Sequence, residues 1–273
     1  MPTQSQKATA FRALHERDGA FIIPNPWDIG TARLLAHLGF EALATTSAGY
    51  AFSVGRPDYS IGRDEMLAHV RDIVYATDLP VSADLENGFG DDPAAAAETY
   101  RLAAATGLVG GSIEDATGRK EDPIYEHKLA ADRVRAVVEA VRSLPFPFTV
   151  TGRAENYLWG RPDLKDTIRR LQAYQDAGAD VLYAPGLTSK EDIATVVRSV
   201  DRPVNALMGL QGVQLSLADL SAIGVKRVSV GSALSRAALG AFLRAAREMR
   251  ERGTFAFAAE AVSYRDLSAL FRA

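Results

Sequence analysis

Cysteine is missing from all 273 residues. That absence removes disulfide frameworks, thiolate metal sites and every cysteine nucleophile or acid, although it does not by itself fix a compartment. Histidine is scarce. His15, His37, His69 and His127 all fall on segments patterned as helices or helix starts, and the first three read as surface or helix-packing residues. With no strand-end histidine and no Gly-x-Ser-x-Gly, a triad hydrolase has no machinery to work with. A Walker loop is absent, and the first strand candidate leads into Pro24-Asn25-Pro26-Trp27-Asp28 rather than Gly-x-Gly-x-x-Gly. No apolar run approaches the roughly 18 residues of a membrane span, and the polar start Met1-Pro2-Thr3-Gln4-Ser5-Gln6 lacks a basic head and an apolar core. The expectation is a cytoplasmic protein with no membrane partner. Charge of one sign is lacking as well: 31 Lys and Arg face 34 Asp and Glu, for a net charge of −3. Nothing in that balance calls for a nucleic acid.

What is present is core material, 47% hydrophobic against 24% charged residues, in a repeated grammar. Amphipathic segments stop at Gly39, Gly107, Gly178 and Gly224, and each is followed within a few residues by a short apolar run: Glu41 to Thr46, Val109 to Ile113, Val181 to Tyr183 and Val228 to Val230. Glycine just past a helix supplies the left-handed backbone that ends it, so each reads as helix, turn, strand. Ala20 to Pro24, Pro80 to Asp84, Phe146 to Gly152 and Pro203 to Leu207 complete eight strand candidates. Helix starts are marked by Asp92-Pro93 and by capping-box-like Ser189 to Asp192 and Ser216 to Asp219. Eight βα units in this length fit a (β/α)8 TIM barrel, with a doubly wound sheet as the competing architecture. No proline-, glycine- or serine-rich linker divides the chain, so residues 1–273 are expected to form one domain. Its tail from about 250, with Phe255, Phe257, Val262, Leu267 and Phe271, reads as two short apolar-faced helices that pack on their own barrel or on a neighbour.

Such barrels carry their active sites at the C-terminal ends of the strands. Strand three ends in Asp84-Leu85-Glu86-Asn87-Gly88-Phe89-Gly90 and strand four in Ile113-Glu114-Asp115. Strand alternation puts Asp84 and Glu86 on one side, with Glu114 arriving from the next strand. Three converging carboxylates need either a hard divalent cation, Mg²⁺ or Mn²⁺, or salt bridges, for which Arg153 at the end of strand five is placed. The glycine-containing loop Asn87 to Gly90 reads as a flexible approach to a ligand. Thr46, Ser47 and Ala48, after strand two, form either a backbone cradle for a small oxyanion or a plain tight turn. Asp58 either reaches the water shell of the metal or caps the next helix. Ser229 to Ser232 either binds a phosphate or starts a helix.

Taken together, Ile23 to Asp28, Thr45 to Gly49, Gly55-Arg56-Pro57-Asp58, Asp84 to Gly90, Ile113 to Asp115 and Gly152-Arg153 resemble the isocitrate lyase / phosphoenolpyruvate mutase superfamily. The resemblance implies a barrel whose last helix is swapped between subunits of a homodimer or homotetramer. It also implies a Mg²⁺ that holds a pyruvate-like fragment. By position, Asp84 and Glu86 match the acidic pair of the metal region, Glu114 its third carboxylate and Asp58 its outer-shell acid. Thr46, Ser47 and Ala48 match the substrate-carboxylate cradle, and Arg153 the arginine that binds substrate and stabilises an enolate. The departures are informative. The cysteine-bearing gating loop of the lyases is replaced by the short Ala116 to Pro123, which also lacks the asparagine of the mutase. Pro185 stands where many lyases carry a glutamate, and Glu86 replaces the commoner aspartate.

The expectation is a Mg²⁺-dependent lyase- or decarboxylase-type enzyme that cleaves a C–C bond in a small 2-oxo or 2-hydroxy dicarboxylate. Asn205 is a substrate-binding candidate, and Tyr50, Glu155, Asn205 or solvent is the proton donor. A phosphonopyruvate-type mutase or hydrolase and a non-catalytic oxo-acid-binding barrel are the alternatives.

Overall fold

The computed structural model describes residues 2–272, and Met1 and Ala273, the extremes of the expected domain and tail, lie outside the described residues. The strands are β1 (Phe21–Ile23), β2 (Leu43–Ala44), β3 (Val81–Asp84), β4 (Gly110–Glu114), β5 (Thr149–Arg153), β6 (Val181–Tyr183), β7 (Val204–Leu207) and β8 (Arg227–Ser229). Around them run α1 (Gln4–Glu16), α2 (Ile29–His37), α3 (Ser47–Ser53), α4 (Arg63–Tyr75), α5 (Pro93–Ala105), α6 (His127–Arg142), α7 (Leu164–Asp176), α8 (Lys190–Arg198), α9 (Leu217–Ala222), α10 (Ala233–Arg252) and α11 (Tyr264–Leu270). Every strand overlaps an expected segment; β4 and β5 run one residue past theirs, to Glu114 and Arg153, and β8 begins one residue early, at Arg227. All pairings are parallel, in the order β1-β8-β7-β6-β5-β4-β3-β2, which gives a TIM-barrel-like α/β fold.

Between β1 and β2 the ring has a seam with no regular ladder. The Ala44 N–H donates to Pro24 O across it at 3.1 Å. Asn25 staples the same corner: its amide donates to Thr45 O at 3.0 Å, while its oxygen accepts from the N–H groups of Val230 and Gly231 at 2.9 Å each.

Gly39, Gly107, Gly178 and Gly224 hold φ values of 84°, 98°, 100° and 89°, the left-handed backbone expected where each helix turns into a strand. Asp92 caps α5 and Ser216 forms a reciprocal box with Asp219, but Ser189 makes only its own half of the expected box. At the N-terminal end of the barrel, α1 lays Phe11 and Leu14 against Phe21, Ile23 and Val109. The main core, including Leu43, Val81, Val150, Leu182 and Val204, lies between sheet and helices. The helix of the eighth unit, α10, is largely exposed: of its twenty residues only Ser235 is buried. The tail follows with a 3₁₀ turn, Ala256–Glu260, and then α11, so one of the two expected tail helices is a single tight turn. Among the described residues no helix is long and apolar enough to cross a membrane.

Removing the Asn25 side chain strands three backbone groups at the seam, each worth about 1–3 kcal/mol when buried and unpaired. Asn25→Ala is expected to lower the calorimetric melting temperature by several degrees; an unchanged value would show that the seam does not depend on this residue.

Candidate active site

The C-terminal ends of the strands surround a cavity of about 170 Å³. Its wall includes the expected site residues Thr46, Ser47, Ala48, Asp58, Asp84, Glu114, Arg153 and Asn205, with Ser229 and Ser232 from the candidate phosphate segment, together with Tyr59, Tyr183 and Arg227, which no motif in the sequence marks. Adjacent strands β4 and β5 place Glu114 and Arg153 side by side in register. The Arg153 guanidinium is the hub. Its Nη1 lies 3.1 Å from Glu114 Oε2 and 3.4 Å from Asp84 Oδ1, and its Nε donates to Glu155. Its face lies over the Tyr183 ring, 5.2 Å from the centroid, within cation–π range. Burial opposes its charge, but Glu155, Glu114 and Asp84 hold its pKa well above the ordinary value.

Asp84 Oδ2 accepts from the Ser47 N–H at 3.2 Å and from the Ser47 hydroxyl at 2.8 Å. Within the proposed cradle the Ser47 amide is therefore already engaged. Thr46 caps α3 through the Gly49 N–H. Asp58 does not cap the following helix, whose N-cap is Gly62; it faces the cavity, where burial and then Asp84 raise its pKa.

Glu86 departs from the alternation expected of it. β3 ends at Asp84, and Glu86 takes φ +48°, so the two-residue period no longer applies to it. Its side chain is buried and does not line the cavity, yet burial, Asp84 and Asp58 push its pKa up to about 8. The loop Asn87 to Gly90 is pinned rather than flexible. The Arg133 guanidinium donates to the carbonyls of Asn87, Gly90 and Asp91, and Asn87 Nδ2 donates to Tyr125 OH at 3.0 Å. None of these loop residues lines the cavity.

Tyr50 lies off the cavity wall, its ring stacked on His69 with centroids 3.7 Å apart. Glu155 also stays behind the wall, where burial first and Asp115 next raise its pKa against the pull of Arg153. Asn205 does line the cavity; its amide donates to Ser229 Oγ at 2.9 Å and its oxygen accepts from Arg227 Nε at 2.9 Å. At strand eight, the amides of Val230 and Gly231 are taken by Asn25, so they do not form a free phosphate nest.

Outside the barrel wall a second network backs the first. Asp115 accepts from Arg170 Nη1 at 3.0 Å, Tyr174 OH at 2.6 Å and the Glu155 N–H at 2.8 Å. Gly152 makes this possible, since a Cβ there would stand 2.9 Å from Tyr174. Tyr59, at φ +60°, donates its phenol to Glu114, meets the Trp159 ring edge-on and covers Gly118. The neighbouring Asp58 was the signal that could have pointed to it; its left-handed backbone has none in the sequence. The loop Ala116 to Pro123 closes on itself through an Ala116–Ile124 bridge and is tied to Asp91 by Arg119, and it sends no side chain into the cavity.

Among the described residues no three His, Cys, Asp or Glu side chains are grouped to grip an ion between them. The donors present still fit Mg²⁺, which takes one or two carboxylates and keeps several waters. Asp58 and Asp84 are hard oxygen donors on the wall, and Asp84 Oδ1 is held only at 3.4 Å, by Arg153 Nη1 and the Glu86 N–H.

The fold and this cluster of strand-end acids around one arginine define an α/β-barrel site of the isocitrate lyase / phosphoenolpyruvate mutase superfamily. The phosphoenolpyruvate phosphomutase family model matches residues 11–250, and the chain belongs to that family. A crystal structure of a lyase/mutase candidate from Burkholderia cenocepacia J2315 is 67% identical, covers 99% of this chain and 98% of that one, and superposes with a TM-score of 0.97. An uncharacterized protein of Mycobacterium tuberculosis is 34% identical over 89% of each chain. The structure of a 2,3-dimethylmalate lyase is 27% identical, covers all of this chain and 94% of that one, and has a TM-score of 0.85.

The raised pKa of Glu86 makes stability depend on pH. The folded protein holds a proton there up to about pH 8, whereas the unfolded chain releases it near 4.5, so the folded state binds more protons in that window and loses stability as pH rises through it. Metal-free protein is expected to melt at a lower temperature at pH 8 than at pH 6, and Glu86→Gln should flatten that dependence. Equal slopes in the two proteins would show that Glu86 ionises freely.

Proposed function

We propose that this chain is a Mg²⁺-dependent enzyme that breaks a C–C bond in a small 2-oxo or 2-hydroxy dicarboxylate through an enolate. The observation that carries the reading is Arg153, a largely buried guanidinium facing the cavity amid Asp84, Glu114 and Glu155. Fixed donors aimed at developing negative charge in a dry site are the main source of such catalysis. Arg153 would bind the oxo-acid end of the substrate and hold the oxyanion that forms when the C–C bond leaves its electron pair behind. Glu155, anchored by Asp115, acts through Arg153 as a positioning residue. Asp84 and Asp58 would hold the ion, with Glu86 behind them and Glu114 bound to Arg153 and Tyr59. Bound there, Mg²⁺ supplies Lewis-acid stabilisation of the same oxyanion.

Of the proton sources considered, Tyr50 and Glu155 are off the wall, and the Asn205 amide is committed to Ser229. Of those four candidates, solvent is the one left to supply the proton to the enolate carbon. The likeness to a 2,3-dimethylmalate lyase supports the choice of C–C over P–C chemistry.

The exposed apolar side of α10 and the tail, with Leu239, Phe242, Leu243, Phe255 and Tyr264, supports a homodimer or homotetramer in which this helix packs on a second copy. Light scattering of the intact chain is expected to give the mass of two or four chains, and a monomer at micromolar concentration would overturn the assembly.

Oxalate, a planar mimic of the pyruvate enolate, is expected to bind by isothermal titration only with Mg²⁺ or Mn²⁺ present. Asp84→Ala should abolish that binding with circular dichroism unchanged; retained binding would mean that other carboxylates hold the metal. A panel of oxaloacetate, alkylmalates and phosphonopyruvate then assigns the reaction, and binding without turnover of any would favour a non-catalytic barrel.

A further inference from the structure

A second arginine on the cavity wall has no counter-charge. Arg227, at the start of β8, is 5% exposed and reaches across the barrel interior. Its Nε donates to Asn205 Oδ1 at 2.9 Å and its Nη2 to Thr151 Oγ1 at 3.0 Å, both neutral acceptors, while its Nη1 is buried with no partner. Among the described residues no carboxylate pairs with it. Its charge is felt instead by His15 beneath the barrel, whose pKa is driven down to about 3 by burial first and by Arg227 second. Burying an ion without a partner costs several kcal/mol, and a bound anion offsets that cost. Arg153 is in the opposite condition, with three carboxylates around one guanidinium. The cavity thus has an acid-rich rim and a cationic, anion-free floor.

We propose that Arg227, held in place by Asn205 and Thr151, recognises the far anionic group of a dianionic substrate whose oxo-acid end lies at Arg153. The inference rests on the oxo-acid reading above and adds to it a specificity determinant, selecting diacids over simple 2-oxo monoacids. The fork of a guanidinium matches a carboxylate or a phosphonate equally in charge and geometry.

The test is a binding ratio, measured by isothermal titration with Mg²⁺ on the intact chain. The probes are 3,3-difluorooxaloacetate, its monoanionic counterpart pyruvate, and oxalate as the control for the rim. Wild type is expected to prefer the difluoro diacid over pyruvate, and Arg227→Gln to weaken the diacid by about 10- to 100-fold with pyruvate and oxalate within about twofold. A phosphonopyruvate arm shows whether the far group is a phosphonate, and its loss of affinity in R227Q would equally support the role. Should R227Q fail to fold, R227K keeps the charge with fewer donors and should show a smaller fall in the same ratio. Equal weakening of diacid and pyruvate, or an unchanged ratio with oxalate binding intact, would make Arg227 a purely structural residue and overturn the inference alone. Wild type that binds no oxalate in the presence of metal would overturn the oxo-acid reading, and this inference with it.

Discussion

The site depends on one guanidinium holding apart carboxylates that would otherwise repel one another. Arg153 meets Asp84 from β3, Glu114 from β4 and Glu155 from just beyond its own strand, so three successive βα units converge on a single side chain. Parallel register makes that convergence possible, because Glu114 and Arg153 are direct neighbours across β4 and β5. A slip of one residue would turn Glu114 outward and send Asp115 inward. The alternation serves two networks at once: Glu114 faces the cavity, while Asp115 faces α7 and is met there by Arg170 and Tyr174. The outer cluster anchors Glu155 through its backbone, and Glu155 in turn fixes the hub. Rigidity is thereby passed inward from helix to strand to guanidinium.

Much of the architecture was legible because it is written in local chemistry. Left-handed glycines at 39, 107, 178 and 224 mark four helix-to-strand turns, and all eight apolar runs became strands. The cavity-facing acids Asp84 and Glu114, with Arg153 beside them, followed from strand-end position and the period of two. That period misled at Glu86, where the chain turns left-handed after Asp84 and leaves the pleat, a change that no side-chain pattern announces. Tyr50 is one of the candidate proton donors, but α3 begins at Ser47 and its ring stacks on His69, off the cavity wall. The pinning of Asn87 to Gly90 was invisible because its agent, Arg133, lies more than forty residues away on α6. Arg227 lies one residue before the apolar run Val228 to Val230 and beside Lys226, and nothing in that local pattern tells a basic residue that turns into the barrel from one that stays outside.

The missing cysteine bears on the roof of the cavity as well as on its chemistry. The segment after β4 folds back on itself and is tied to Asp91 through Arg119, and Tyr59 fills the space beneath Gly118. The acid that the lyases carry in this loop has no successor within it, and the cavity is lined instead by Asp58 and Tyr59 from the segment after α3, Leu158 from the segment after β5 and Ser232 from the segment after β8.

That arrangement has an entropic consequence. A protein that closes a mobile loop over its ligand spends part of the binding free energy on ordering the loop, and its turnover can be limited by reopening. Here the segments around the mouth are already held by Arg133, Arg119 and Tyr59 before any ligand arrives. Their conformational entropy is surrendered once, during folding, and ligand affinity carries no further charge for it.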